Sequence, residues 1–386
     1  MFSRRMFLGA TAALAGLYPQ ASLFAQTQPI QLGTLYNTSG SLTIFDIPSL
    51  HGARLAAHTI TAAGGVLGRP LDLVLSEGDS EADGWTTKVP DLMRANPDIV
   101  ALFGLSDSNN ALAAGRASAA EARVFVTSGA TSPRLPEEVP TYLFLAPFGD
   151  NVQAAAAAEY AYGDLGARNV LVLYDPSRIY TTLLKGYFIN RFEGLGGSVI
   201  ADAQIAPDSS DPSVPEIGGA DLVFLSVESA DDAARMIPLV RATGFTGPIF
   251  GGDGYDAASV WAAHTDISDV YFTTHVCLGA DTTNPRVAAF VEAYEEAEPG
   301  ETPTAFSALA YDTVGLLAAA VENAGAPDPS MMVDGMLAID GYQGVTGTIS
   351  YAHGNHIPTK SVTILEVSGG VQSFVTETTP SVVPAP

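Results

Sequence analysis

The chain is poor in cysteine, in basic side chains and in long apolar runs. Cys277 is the single cysteine among 386 residues, so no intrachain disulfide can hold the fold and no cysteine near the N-terminus can carry a lipid. Lys and Arg number 17 against 42 Asp and Glu, a formal net charge of −25. Such a field excludes nucleic acid as a natural partner and repels anionic membrane surfaces. No stretch reads as membrane-spanning. The six histidines are scattered, and only His353 and His356 approach a metal spacing. They sit in a Gly/Asn turn without a nearby cysteine or carboxylate, which reads as an exposed turn rather than a zinc site. A Gly-x-Ser-x-Gly nucleophile turn is missing, because Gly104-Leu105-Ser106-Asp107-Ser108 lacks the second glycine. The glycine pairs Gly64-Gly65 and Gly196-Gly197 precede strands instead of opening helices after them, so they read as helix ends and not as phosphate cradles. No catalytic residue, metal ligand or cofactor is therefore assigned.

At the N-terminus, Arg4-Arg5-Met6-Phe7-Leu8 leads into an uncharged apolar run over residues 9–17, and Leu23-Phe24-Ala25 offers a small residue for cleavage. This resembles a twin-arginine export signal over 1–25, with Gln26 as the mature N-terminus and the periplasm as destination. About 360 residues then remain, enough for two domains of ordinary size.

Apolar runs at 30–36, 71–75, 99–103 and 124–127 read as strands, with helices at 49–63, 85–94 and 109–121 between them. The alternation predicts an α/β fold with a doubly wound parallel sheet. After Pro147 it begins again, with helices at 152–165, 181–193 and 231–243 and strands at 170–174, 199–205, 222–225 and 249–250. Helices at 285–296 and 305–323 and strands at 345–351 and 361–367 follow. The expected arrangement is two lobes with crossings near Pro147, His275 and Val345: 26–147 with 276–345, and 148–275 with 346–375. Residues 376–386, rich in Pro, Ser and Thr, are expected to form a flexible tail.

In doubly wound sheets ligands lie beyond the carboxyl ends of strands, where helix N-termini direct free N–H groups. The loop 104–110 and the loop 128–133 are both hydroxyl-rich and contain glycine. They suit a carboxylate or amide oxygen, although the same residues are ordinary helix caps. Gly251-Gly252-Asp253-Gly254-Tyr255 places an acid among glycines, where it can approach an ammonium group or serve as a turn residue. Tyr180 and Tyr255 are candidates to pack on a ligand, though tyrosines more often join the core.

These segments, with Ser39-Gly40 and the run Ala63-Gly64-Gly65-Val66-Leu67-Gly68-Arg69, resemble in order and spacing the branched-chain amino-acid and amide binding proteins of ABC transporters, the type I periplasmic binding family. The likeness runs through nearly all of the mature chain. It implies two doubly wound lobes joined by a three-crossing hinge, a solute buried between them, and delivery to an ABC permease in the inner membrane. Carried over by position, Ser108, Gly129 and Thr131 would hold a ligand carboxylate and Asp253 the α-ammonium. Tyr180 would lie at the cleft mouth, Ser106 would line the cleft as in the amide binders, and Phe45 would pack over the ligand. The ligand so implied is an amino acid, apolar or branched-chain, bound without being transformed. Urea, a short amide or a small carboxylate remain open as alternatives, as does a sensor role. Asp107 would be out of place beside a carboxylate if it pointed inward, and residues 207–219 are too short and proline-broken for the family's usual helix.

Overall fold

The computed structural model describes residues 28–279, 282–351 and 354–386. The export signal read at 1–25 and His353 lie outside the described residues. Near-continuous apolar runs form strands buried on both faces, as parallel sheets require. In the first lobe these are β1 (Ile30–Asn37), β3 (Ile99–Gly104), β4 (Phe125–Thr127) and β5 (Leu143–Leu145), with β2 (Leu71–Gly78) half-buried at the sheet edge. They pair in parallel in the order β2-β1-β3-β4-β5. Helices α1 (Thr43–Ala62), α2 (Trp85–Ala95), α3 (Ser108–Ala120) and the short α4 (Leu135–Glu138) connect them.

The second lobe opens with α5 (Asp150–Gly163) and continues through β6 (Asn169–Tyr174), α6 (Ile179–Gly194), β7 (Ser198–Gln204), β8 (Leu222–Ser226), α7 (Ala230–Ala242), β9 (Ile249–Gly251), α8 (Ala258–Ala262) and β10 (Val270–Thr274). Residues 207–219 form no helix. The chain then returns to the first lobe with α9 (Pro285–Ala297), α10 (Ala305–Ala324) and α11 (Met332–Leu337). Thr304 and Ser307 cap α10 reciprocally, and Gly325 ends it at φ 73°. By length and composition α10 could cross a membrane, but 83% of its apolar window is buried in protein, where it packs along α1. Gly52 permits that approach, since a Cβ there would strike the Ser307 carbonyl.

Several sequence expectations change. Residues 345–351 do not form one strand: β11 (Tyr342–Gly344) and β12 (Gly347–Ile349) make a hairpin that turns at Val345 and Thr346. The Asp312 carboxylate of α10 accepts both turn amides, at 2.7 and 2.8 Å, and so ties the hairpin to the first lobe. The third crossing consequently lies beyond Val345. The Tyr351 hydroxyl donates to Leu145 O at 2.7 Å and His356 stacks on Phe144 at 3.9 Å, so these flanking residues lie against the first lobe, while Gly354 and Asn355 are exposed as expected. The second sheet is entered only at β13 (Val362–Ser368).

The second sheet is also mixed, in the order β14-β13-β10-β9-β8-β6-β7, because β13 and β14 (Val371–Thr378) add antiparallel. Residues 376–386 are not a free tail. Thr376 and Glu377 pair within β14, Ser381 donates to the Glu159 carboxylate, and Asn151 Nδ2 donates to Pro384 O at 2.9 Å.

Candidate functional site

The loops after β3 and β4 in the first lobe meet the loops after β8 and β9 in the second. Between them lies a small cavity of about 10 Å³, lined by Phe45, Ser106, Gly129, Thr131, Phe306, Tyr180, Glu228, Asp253 and Gly254. Residues of both lobes thus face one small, partly open space. Gly104 lets β3 end there: its φ of 132° belongs to glycine, and a Cβ would collide with the Leu35 carbonyl. Gly129 has a similar role, since a Cβ would press on Ser106 and the Phe306 ring. Phe45 and Phe306 meet with ring centroids 4.7 Å apart and form the apolar wall.

Asp253 is the most elaborately held group. It is 2% exposed, and its side chain caps no helix. Oδ1 accepts from the Tyr180 hydroxyl at 2.9 Å and from Gln153 Nε2 at 2.8 Å, while His275 Nε2 lies 3.0 Å from Oδ2. Gln153 Oε1 in turn accepts from the Asp253 amide at 3.1 Å and from the Thr273 hydroxyl at 2.6 Å. Charge-assisted bonds of this kind fix both the position and the plane of a carboxylate. Burial, reinforced by Asp253, raises the Tyr180 phenol well above its usual range, so it stays a donor. The same two causes raise Asp150, whose Oδ1 accepts from Gln153 at 3.1 Å. Burial also lowers the His275 imidazole. A neutral ring that donates from Nε2 leaves Nδ1 as an acceptor, and that atom is buried without a partner.

Six of the seven expected site residues, Phe45, Ser106, Gly129, Thr131, Tyr180 and Asp253, are brought together around the cavity. Ser108 is not among its lining; it opens α3, 1% exposed, with its hydroxyl unpartnered. Asp107 is the N-cap of α3 and accepts from Asn110 N at 2.8 Å, which explains an acid at this place. Tyr255 is a core residue, fully buried, with its hydroxyl donating to Leu225 O at 2.6 Å. Sequence reasoning missed Glu228, Phe306, Gln153 and His275. For Gln153 a signal existed, a long polar side chain inside the alanine-rich helix α5.

A two-lobed α/β shell with a polar cleft between opposed strand ends is the architecture of a solute-binding protein. A family model described as periplasmic binding protein matches residues 29–372. The chain belongs to that family. It is 23% identical over 353 residues to Leu/Ile/Val-binding protein homolog 8 of Brucella suis, covering 87% of this chain and 86% of the relative. Its structure is similar to the branched-chain amino acid transporter substrate-binding protein LivJ of Streptococcus pneumoniae, solved in complex with isoleucine. The TM-score is 0.82 at 25% identity, over 92% of this chain and all of that one. A solute-binding protein of an R. palustris ABC transporter, solved in complex with benzoate, shares the fold with a TM-score of 0.77 at 19% identity, covering 92% of this chain and 98% of the other.

Proposed function

We propose that this protein is the substrate-binding component of an ABC importer and carries an amino acid between its lobes to a membrane permease. The observation that carries the reading is Asp253, a buried carboxylate held by Tyr180, Gln153 and His275 on one side of a cavity whose other side offers the Ser106 and Thr131 hydroxyls. A zwitterion fits that polarity, with its ammonium on Asp253 and its carboxylate on Ser106, Thr131 and the loop around Gly129. Phe45 and Phe306 supply an apolar wall for the side chain, which favours an apolar amino acid and agrees with the isoleucine held by the similar streptococcal protein. Export through Arg4-Arg5 belongs to the same proposal and is tested by replacing both with lysine, which should leave precursor in the cytoplasm.

A plain carboxylate, as in the benzoate complex, fits less well, because Asp253 and Glu228 both line the cavity. The decisive experiment is a thermal-shift screen of the protein from Gln26 onward, stripped of carried solute by partial unfolding. Solute at a hundred times its Kd adds about 2.7 kcal/mol. Stabilisation by an amino acid but not by its deaminated acid supports the reading; stabilisation only by amides, urea or carboxylates overturns the ligand assignment.

A further inference from the structure

Glu228 lies between β8 and Ser229, the N-cap of α7. It is 9% exposed and lines the cavity, yet its Oε2 is buried and bonded to nothing. A buried acceptor without a donor costs stability and calls for an explanation. Arg178, the nearby positive group, lines the outer cleft instead. Asp253 by contrast already accepts three hydrogen bonds. A carboxylate offers about four acceptor sites, whereas an ammonium brings three donors. Asp253 alone therefore cannot satisfy a cation bound between the lobes.

We propose that Glu228 is the second acceptor for the ligand's cationic group, forming with Asp253 a two-carboxylate clamp that selects amines over neutral amides and plain carboxylates. The inference rests on the amino-acid reading above and deepens it. The groups facing Glu228 are Asp107 at the head of α3, Asp232 on α7, Asp253 after β9 and Arg178 before α6. Burial, then Asp107, pushes the Glu228 carboxyl well above its usual range despite Arg178. Burial favours the protonated form of Glu228 in the empty site, and an arriving cation favours the carboxylate. Binding of an amino acid thus releases a proton to solvent.

Calorimetric titration at pH 7 in two buffers of different ionisation enthalpy tests this, with each of the twenty standard L-amino acids as probe. Glu228→Gln and Glu228→Leu should weaken the best-bound amino acid by about 10- to 100-fold and abolish the buffer-dependent proton release. Without solute both variants should melt at or above the native temperature, since an unpartnered buried acid has been removed. Native affinity and native proton release in Glu228→Gln would overturn the clamp. If Asp253→Asn loses binding while Glu228→Gln keeps it, the clamp fails alone. If the native protein binds no amino acid, the amino-acid reading fails and the clamp with it.

Discussion

His275 Nε2 lies 3.0 Å from Asp253 Oδ2, and the same imidazole stacks on Phe148 with ring centroids 3.9 Å apart. Phe148 follows β5 where the chain first leaves the first lobe, and His275 follows β10 where it returns. The site carboxylate is therefore bonded to one hinge segment and, through a ring stack, to the other. Replacing His275 by alanine removes a donor to Asp253 and opens a space beside Phe148. We expect about a tenfold loss of amino-acid affinity, in line with one bond to a charged group, and a melting temperature several degrees lower. A drop in melting temperature with unchanged affinity would make the link structural only.

Stability should fall as pH rises from about 4 to about 7. Burial raises Asp46 from 3.8 to about 7, although Asn37 donates to it from N and Nδ2 at 2.9 and 2.8 Å. Burial raises Asp256 to about 7 as well. Between the unfolded and folded values the native state holds protons that the unfolded chain has lost, so raising the pH favours unfolding, by up to about 1.4 kcal/mol per pH unit for each group. His275 acts in the opposite sense: its lowered value means that the unfolded chain takes up a proton first as pH falls below 6.5. In Asp46→Asn one of the two acid contributions is gone. Urea melts between pH 4 and 8 should show the variant gaining on the native protein as pH rises, with no gain at pH 4; parallel curves would refute the assignment.

The sheets were legible because their strands are short apolar runs separated by helices of ordinary length. Residues 99–103 are uniformly apolar, and β3 is buried throughout. β5 and β10 escaped, the first for its three-residue length and the second for its mixture of Tyr, Phe and Thr. Asp253 could be picked out because an acid flanked by glycines is unusual, whereas Glu228 was hidden in Glu228-Ser229-Ala230-Asp231-Asp232, where acids at a helix start are expected for the macrodipole alone. Phe306 could not be placed from local pattern, since its meeting with Phe45 depends on α10 returning to α1. The hinge was misplaced at Val345 because the hairpin's attachment to Asp312 is a tertiary contact with no periodic trace.

The C-terminal segment contributes to the second lobe in a way its composition conceals. Against its partial burial, Glu159 on α5 is lowered below the usual carboxylate range by accepting from Ser381 N at 3.0 Å and from Arg191 Nε at 2.9 Å. Ending the chain after Thr378 removes the Ser381 donors and the Asn151 bond to Pro384, and leaves the Glu159–Arg191 pair more open to water. A loss of about 1–2 kcal/mol is expected from these partly exposed bonds. Ser381→Ala should account for part of it. Thermal melts of the two variants that match the native protein would return residues 379–386 to the status of a loose tail.

Closure should be latched by Asn109. Its Oδ1, on α3 of the first lobe, accepts from the backbone N of Ile179 at the start of α6 in the second, at 3.2 Å. An α6 N-terminus leaves its first amides without intrahelical partners, so in an open form Ile179 N would turn to water and the bond would form only as the lobes meet. Asn109→Ala removes this bond between the lobes and leaves the cavity lining untouched. Solute dissociation should accelerate about 5- to 10-fold, the equivalent of roughly 1 kcal/mol, while the melting temperature of solute-free protein stays within about a degree. Stopped-flow release measured beside small-angle scattering checks this. The variant should scatter as a more extended particle at sub-saturating solute, and unchanged release with unchanged scattering would mean that closure is carried by the ligand and the apolar contacts alone.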